Sequence, residues 1–168
     1  MLSRSSEYAI RALTYLAQRQ RDGRHVLARD MAEELGIPAP FLGKVLQPLV
    51  TRGLLHSQRG RSGGFRLDRP AGHIRLVEIV ETQETLTPAN TCLLGQKACD
   101  EQNVCPLHEL WTGIAGSFHT RLRATSLQDL VEFAARNPGC AYPFQPDLAR
   151  AAQATAPIPL RDGRAVSA

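Results

Sequence analysis

The chain has 168 residues, of which 43% are hydrophobic, and a formal net charge of +4 at pH 7. This length suits one domain of ordinary size with a tail, and the apolar share is sufficient for a core. No apolar run is long enough to cross a bilayer, and the first residues lack the apolar stretch of a signal peptide, so we expect a cytoplasmic protein with no membrane partner. The small basic excess does not indicate nucleic acid binding until the charges are located.

The first fifty residues predict three helices. Apolar residues at helical spacing predict a first helix that begins at Ser5 or Ser6 and ends before residues 22 and 23. A shorter helix is predicted over 28–35, followed by a turn at Gly36 and a third helix over about 38–51. Helix, glycine-containing turn and helix form the helix-turn-helix pattern, with an ordinary pair of core helices as the alternative. The third helix is expected to direct these side chains inward: Phe41, Leu42, Val45, Leu46 and Leu49.

Residues 52–69 predict a basic hairpin. Two short strand-like pieces flank a tip that contains three glycines. Five arginines lie in this segment against one acid, Asp68: Arg52, Arg59, Arg61, Arg66 and Arg69. Guanidinium groups bind phosphate oxygens and are attracted to a narrow minor groove. We therefore expect a wing that contacts double-stranded DNA, and a solvated basic loop is the alternative.

The second half of the chain predicts a loop followed by a long helix. A helix over 74–84 precedes a segment without periodicity, and the next helix is predicted to begin at Pro106 with Cys105 at its cap. A last short helix follows Ser126, and residues 137–168 hold five prolines and few large apolar side chains. The long helix carries an apolar face that requires a partner, either a second subunit or the same chain: Leu107, Leu110, Trp111, Ile114, Phe118 and Leu122.

These elements predict a mainly α fold. We assign a winged helix-turn-helix domain with a small β-hairpin wing to residues 1–84 and a loop to 85–105. Residues 106–136 are expected to form the long helix and a terminal helix, and residues 137–168 a flexible tail.

Three cysteines and a histidine in the loop region suggest a metal centre. The set comprises Cys92, Cys99, Cys105 and His108. Thiolates and imidazole are ligands that select iron-sulfur clusters or zinc, and four donors complete a tetrahedral site. In a reducing compartment such cysteines are metal ligands more often than disulfide partners. Cys140, away from the group, is expected to be an unligated thiol.

Several segments together resemble one family of bacterial regulators. They are SEYAIRALTYLA, LGIPAPFLGKVL, RGRSGGFRL, IRLVEIVE and CPLHELW. In this order they are similar to the Rrf2 family of iron-sulfur winged-helix transcription regulators, which includes IscR, NsrR and RirA, over roughly residues 1–131. The resemblance implies a homodimer that reads a pseudo-palindromic operator and senses iron, redox state or nitric oxide through a 2Fe-2S or 4Fe-4S cluster. It also implies that the long helix pairs with the same helix of a second subunit.

The resemblance assigns three of the cluster ligands to Cys92, Cys99 and Cys105. His108 matches the C-x-x-H ending of IscR and is the preferred fourth ligand. Its rival is Glu7, which aligns with an acidic ligand that NsrR supplies from the opposite subunit. Six residues separate Cys92 from Cys99, against five in IscR, so the spacing leaves the cluster type open.

The resemblance also assigns the DNA contacts. The third helix becomes the recognition helix, and Arg59 corresponds to the wing arginine that enters the minor groove. Where IscR presents a serine and a glutamate to the bases, this chain has Pro40 and Gly43, so base reading is expected to depend on Lys44, apolar contacts or DNA shape. The assigned DNA-contacting set is Ala39, Pro40, Gly43, Lys44, Arg59 and Arg61.

The same residues leave two other functions open. A regulator with structural zinc on the same residues would bind DNA constitutively. A cluster-bearing redox enzyme would require an organic substrate and further motifs, but the sequence contains no G-x-G-x-x-G, P-loop or G-x-S-x-G motif. We therefore expect a protein without enzymatic activity or an organic substrate.

Overall fold

The computed structural model describes residues 2–19, 24–60, 63–87, 91–96, 102–139 and 142–143. Within these ranges the secondary structure elements are, in chain order, α1 (Arg4–Arg19), α2 (Ala28–Leu35), α3 (Ala39–Thr51), β1 (Leu55–Gln58), β2 (Gly64–Leu67), α4 (Leu76–Glu81), α5 (His108–Ala124) and α6 (Leu127–Arg136). The prediction of a mainly α fold with one antiparallel hairpin is confirmed. Among the helices described, none is long and apolar enough to span a membrane.

Helix α1 lies at the centre of the molecule. It contacts α2, α3, α4, α6 and β2. Nine of its ten buried residues occupy the consecutive positions 8–16 and therefore cover all sides of the helix there: Ser6, Tyr8, Ala9, Ile10, Arg11, Ala12, Leu13, Thr14, Tyr15 and Leu16. A helix that is apolar on most sides is stable in water only when other elements surround it.

The helix-turn-helix is formed as predicted. Gly36 ends α2 with a φ of 61°, and the amide of Ile37 donates to the carbonyl of Ala32 at 2.9 Å. This left-handed residue reverses the chain at low steric cost because glycine has no Cβ. Helix α3 buries Leu42, Val45, Leu46 and Leu49 as expected.

The inward orientation predicted for Phe41 is wrong. Its side chain is 37% exposed, and its ring makes an edge contact with Tyr8 at a centroid distance of 5.5 Å. Phe41 precedes Leu42 by one position, which corresponds to a rotation of about 100° around the helix. The ring therefore lies at the margin of the core, between α3 and α1.

The wing is attached to the segment that precedes α2. In the hairpin Leu55 pairs with Leu67 and Gln58 with Gly64. The backbone of Phe65 also exchanges hydrogen bonds of 2.8 and 2.9 Å with Val26. This approach requires glycine at position 64, where φ is 131° and an added Cβ would lie 2.3 Å from the carbonyl oxygen of Val26. The wing is thus joined to the helix-turn-helix at two places: it follows α3 in the chain, and it pairs with Val26 before α2.

The junction between α5 and α6 is hydrogen-bonded to the start of α4 and the residues before it. The amide of Leu76 donates to Thr125, and the amide of Leu127 donates to Ile74, at 3.0 and 2.8 Å. Ser126 caps α6 through a capping box with Asp129, which confirms the predicted capped start. Helix α4 begins two residues after the predicted start at 74 because Ile74 takes part in this junction, and it ends at Glu81, before the predicted end at 84.

The long helix begins two residues later than predicted. Pro106 and Leu107 lie in a turn in which the amide of His108 donates to the carbonyl of Cys105 at 2.9 Å. The first amide to bond back along α5 is that of Trp111, which donates to Leu107 at 2.8 Å. Cys105 therefore precedes the helix by three positions rather than capping it.

A buried arginine connects α1 to the C-terminal region. Arg11 is 7% exposed, and its Nε donates to the carbonyl of Pro143 at 2.7 Å while its Nη2 donates to the carbonyl of Leu35. Burial lowers the pKa of Arg11, although a guanidinium keeps its proton in proteins. Tyr142 adds a hydrogen bond of 3.0 Å with Thr14. These two residues belong to the segment predicted to be a flexible tail, and residues 144–168 of that segment lie outside the described ranges.

Replacing Arg11 is expected to destabilise the protein strongly. Arg11→Ala leaves two carbonyl groups without their donor inside the core, so the free energy of unfolding should fall by about 2–4 kcal/mol. Urea denaturation measures this change. Arg29→Ala is the matched control, since its side chain is 82% exposed, and it should alter stability by less than about 0.5 kcal/mol. Equal stability of the two variants would contradict the structural role of Arg11.

Candidate nucleic-acid interface and metal centre

The exposed face of α3 contains the residues assigned to DNA contact. Ala39, Pro40, Gly43 and Lys44 are all exposed in its first two turns. The buried leucines and valine of the same helix lie on the opposite side, against the core. The helix therefore presents one continuous face to solvent. Sequence reasoning missed Gln47, which is also exposed and lies on this face.

The wing presents some of its arginines and uses one of them internally. Arg59 directly follows β1 and is exposed, whereas Arg61 lies outside the described residues. Arg69 forms an ion pair with Glu78 in which Nη2 and Oε2 are 2.7 Å apart. Partial burial acts to raise the pKa of Glu78, but hydrogen bonds from the Arg75 backbone and from Arg69 lower it below its ordinary value. Arg69 therefore fixes the base of the wing to α4.

Two of the predicted metal ligands lie together beside the start of α5. Cys92 and Cys105 are 6% and 7% exposed, and they pack with Leu107 in a small cluster separate from the main core. His108 is the first residue of α5, one turn after Cys105. Cys99 lies outside the described residues. Within the described part of the chain, no group of three or more histidine, cysteine or acidic side chains is close enough to hold a metal ion.

The segment around Cys92 is fixed to α5 by specific contacts. The indole Nε1 of Trp111 donates to the carbonyl of Thr91 at 2.7 Å. The amide of Gly95 donates to the carbonyl of Cys92 at 3.2 Å, and Gly95 adopts a φ of 80°. The cysteine pair thus lies near the amino end of α5, where unpaired amide groups and the helix dipole stabilise negative charge.

This donor set is chemically suited to a cluster. Thiolates are the ligands of iron-sulfur clusters, and a helix amino terminus complements the negative charge of a thiolate-ligated cluster. An imidazole at position 108 adds a borderline ligand on the same turn. The rival ligand Glu7 lies exposed in the first turn of α1, where a carboxylate also complements the helix dipole.

Residues that precede the loop contact both α1 and α3. The amide Nε2 of Gln83 donates to the carbonyl of Val45 in α3 at 3.1 Å. The carboxylate of Glu84 accepts hydrogen bonds from the Ser3 amide, at 2.9 Å, and from the Ser6 hydroxyl. Partial burial acts to raise the pKa of Glu84, but these hydrogen bonds lower it below its ordinary value. The residues that follow α4 are therefore connected to α3 and to the start of α1.

The apolar face of α5 is exposed along its amino-terminal half. Leu110, Ile114 and Phe118 are 60%, 55% and 38% exposed, whereas Leu122 and Ala115 are buried in this chain. Ile114 and Phe118 also line an apolar cavity of about 270 Å³ together with Leu2 and Leu86. Packing within one chain therefore covers Leu122, partly covers Leu107 and Trp111, and leaves the other three residues of the predicted face exposed.

Comparisons with known proteins agree with this architecture. A family model described as Rrf2, iron-dependent transcriptional regulator, matches residues 2–133. A relative from Aquifex aeolicus, which is named as an HTH-type transcriptional regulator, is 33% identical to this chain over 133 residues. The alignment covers 78% of this chain and 91% of the relative. The HTH-type transcriptional regulator IscR of Xenorhabdus nematophila is 30% identical over 131 residues, or 78% and 79% of the two chains. The structure of CymR, the global cysteine regulator of B. subtilis, has a similar fold, with a TM-score of 0.67 over 79% of this chain and 97% of that one at 22% identity.

The Glu84 contacts predict a dependence of stability on pH. Because the folded-state pKa lies below the ordinary value of 4.5, the stabilisation is fully present above that value and is lost as the pH falls through the folded-state pKa. Glu84→Gln should therefore be less stable than the wild type at pH 7, and the difference should shrink towards pH 3. Urea unfolding over this range measures it, with Glu81→Gln, at an exposed position of α4, as the control. A difference that stays constant with pH would count against this assignment.

Proposed function

This chain belongs to the Rrf2 family of transcriptional regulators, and we propose that it binds a pseudo-palindromic operator as a homodimer and senses iron, redox state or nitric oxide through an iron-sulfur cluster. The family consists of transcriptional regulators rather than enzymes, which agrees with the absence of enzyme motifs in the sequence. The observation that carries the proposal is the buried pair Cys92 and Cys105 beside the amino end of α5. We assign the cluster to Cys92, Cys99, Cys105 and His108.

The homodimer is supported by the uncovered part of α5. Large apolar side chains that recur on one face of a helix and remain exposed mark an interaction surface. An antiparallel pair of α5 helices from two subunits would bury Leu110, Ile114 and Phe118. The recognition helices and wings of the two subunits would then meet successive half-sites, one helical turn or a multiple apart.

The DNA contacts follow from the exposed face of α3 and from the wing. We assign base and backbone contacts in the major groove to Ala39, Pro40, Gly43 and Lys44, which share that face. We assign minor-groove or phosphate contacts to Arg59 and Arg61, since a guanidinium suits both.

Regulation is supported by the contacts of Gln83 and Glu84. An iron-sulfur cluster can be lost or modified when the concentration of iron, oxygen or nitric oxide changes. This reactivity is what the cluster would supply to a sensor. The ligand-bearing loop begins directly after Glu84. Gln83 and Glu84 are hydrogen-bonded to α3 and to the start of α1. A change in the order of the loop would therefore bias the position of the recognition helix and shift the population of DNA-binding dimers.

Anaerobic purification followed by visible absorption and by iron and sulfide analysis tests the sensor. We expect a coloured protein that contains iron and sulfide, with Mössbauer spectra identifying the cluster type. Cys99→Ala and Cys105→Ala should lose the colour, because each removes a thiolate ligand. Cys140→Ala is the matched control and should retain it.

Further variants address the fourth ligand. His108→Ala should lower cluster content or stability, whereas Glu7→Gln should not. The reverse result would transfer the ligand assignment to Glu7. A colourless wild type with stoichiometric zinc would replace the sensor by a structural site and leave the DNA-binding half of the proposal intact.

The wing assignment predicts a change in the salt dependence of DNA binding. Arg59→Ala should weaken binding and reduce the slope of log affinity against log salt by about 1, because one fewer phosphate charge is neutralised. Fluorescence anisotropy at several salt concentrations measures both quantities. Arg123→Ala, on the exposed side of α5, is the control of equal charge change. A slope unchanged by Arg59→Ala would remove this arginine from the interface.

A further inference from the structure

The recognition helix has few side chains that can read bases in its first turns. Ala39, Pro40 and Gly43 are exposed there, and their side chains carry no hydrogen-bonding group. Lys44 is exposed too, but a lysine has three donors and a flexible stem, so it acts more as a point charge than as a selective base reader. A residue further along the helix is therefore required for hydrogen-bonded base readout.

Gln47 occupies the centre of the same exposed face. Positions 40, 44, 47 and 51 are spaced by four, three and four residues, so they follow one side of an α-helix. The buried positions 42, 45, 46 and 49 lie on the opposite side. Gln47 therefore projects away from the core in the direction of Pro40 and Lys44.

The side-chain amide of Gln47 is available for a ligand. Thr51 donates its hydroxyl at 3.2 Å to the backbone carbonyl of Gln47 and does not engage its amide. In the described ranges, no hydrogen bond to another residue occupies that amide. A glutamine amide offers two donors and an acceptor, the pattern that matches an adenine edge.

Gly43 opens the path between Gln47 and the DNA. The two residues are four apart and are neighbours on the helix surface. A Cβ built at Gly43 meets nothing within 4 Å, so no packing contact explains a glycine there. A glycine inside a helix is destabilising relative to alanine. Its small size permits the helix to approach the groove closely and brings Gln47 nearer to the bases.

We propose that Gln47 is the principal base-reading residue of α3 and that it selects adenine in the major groove of each half-site through bidentate hydrogen bonds to N6 and N7. This inference rests on the proposed operator binding. Positions 40 and 43 lack hydrogen-bonding side chains, and the amide of Gln47, one turn after Gly43 on the same face, supplies the hydrogen-bonding groups instead. Lys44 and Arg59 supply affinity, and Gln47 supplies sequence preference.

Selection from random DNA duplexes tests the assignment. The full-length protein, purified anaerobically, is used to select a motif, and wild type and variants are then compared on that motif and on single-base changes of it. The wild type should prefer adenine at one position of each half-site by about tenfold. Gln47→Ala should remove the preference at that position and leave the others unchanged.

Two variants make the result specific. Gln47→Glu should change the preferred base from adenine to cytosine, because a carboxylate accepts from cytosine N4 and cannot donate to adenine N7. Gln128→Ala removes an exposed glutamine amide from α6 and should leave the motif unchanged. Thermal unfolding of each variant should match that of the wild type, since both glutamines are exposed.

The outcomes separate this inference from the proposed function. A wild type that selects no motif overturns operator binding itself. A clear wild-type motif that Gln47→Ala leaves intact at every position overturns the role of Gln47 and retains the operator. Uniform weakening of all sequences by Gln47→Ala also overturns base reading and indicates a backbone contact.

Discussion

The burial of α1 on all its sides determines where the other elements lie. A helix without a solvent face must be enclosed, and α2, α3, α4, α6 and β2 form that enclosure. Small residues such as Ala9 and Ala12, both fully buried, allow neighbouring helices to approach its backbone closely. The polar groups on this helix then require partners inside the protein. The carbonyl groups of Pro143 and Leu35 serve as acceptors for two of the three guanidinium nitrogens of Arg11, Nε and Nη2.

The same helix connects the two functional regions of the chain. Its first turn is hydrogen-bonded to Glu84, at the entrance to the loop that carries Cys92, and its middle touches the helix-turn-helix through Arg11 and Tyr8. Gln83 adds a direct contact to α3. Closely packed cores do not deform continuously, so in the proposed sensor a displacement at one end of this assembly would be transmitted as a shift between discrete arrangements. The position of the wing depends on that of α2, because Val26, just before α2, pairs with Phe65 in the wing.

Local sequence patterns predicted most of the fold and fewer of its long-range contacts. The bounds of α2, the turn at Gly36, the hairpin and the Ser126 cap depend on neighbouring residues, and the structure agrees with each of them. The Phe41 prediction failed because periodicity does not define the edge of an apolar face. The start of α5 was misplaced because a turn and a helix begin with the same residue types. The contact between Arg11 and Pro143 spans 132 positions and has no local signal. Helical spacing from Pro40 and Lys44 could have identified Gln47 on the recognition face.

The hydrogen bond between Arg11 and Pro143 also imposes an order on biosynthesis. Domains begin to fold while the chain is still emerging from the ribosome. The helix-turn-helix and the wing, complete at Leu67, are translated well before the carbonyl of Pro143 exists. Until then the Nε of Arg11 lacks its protein acceptor and has to keep water as its partner, although Nη2 can already donate to the carbonyl of Leu35. The contacts around the centre of α1 are therefore complete only after residues 142 and 143 have been translated.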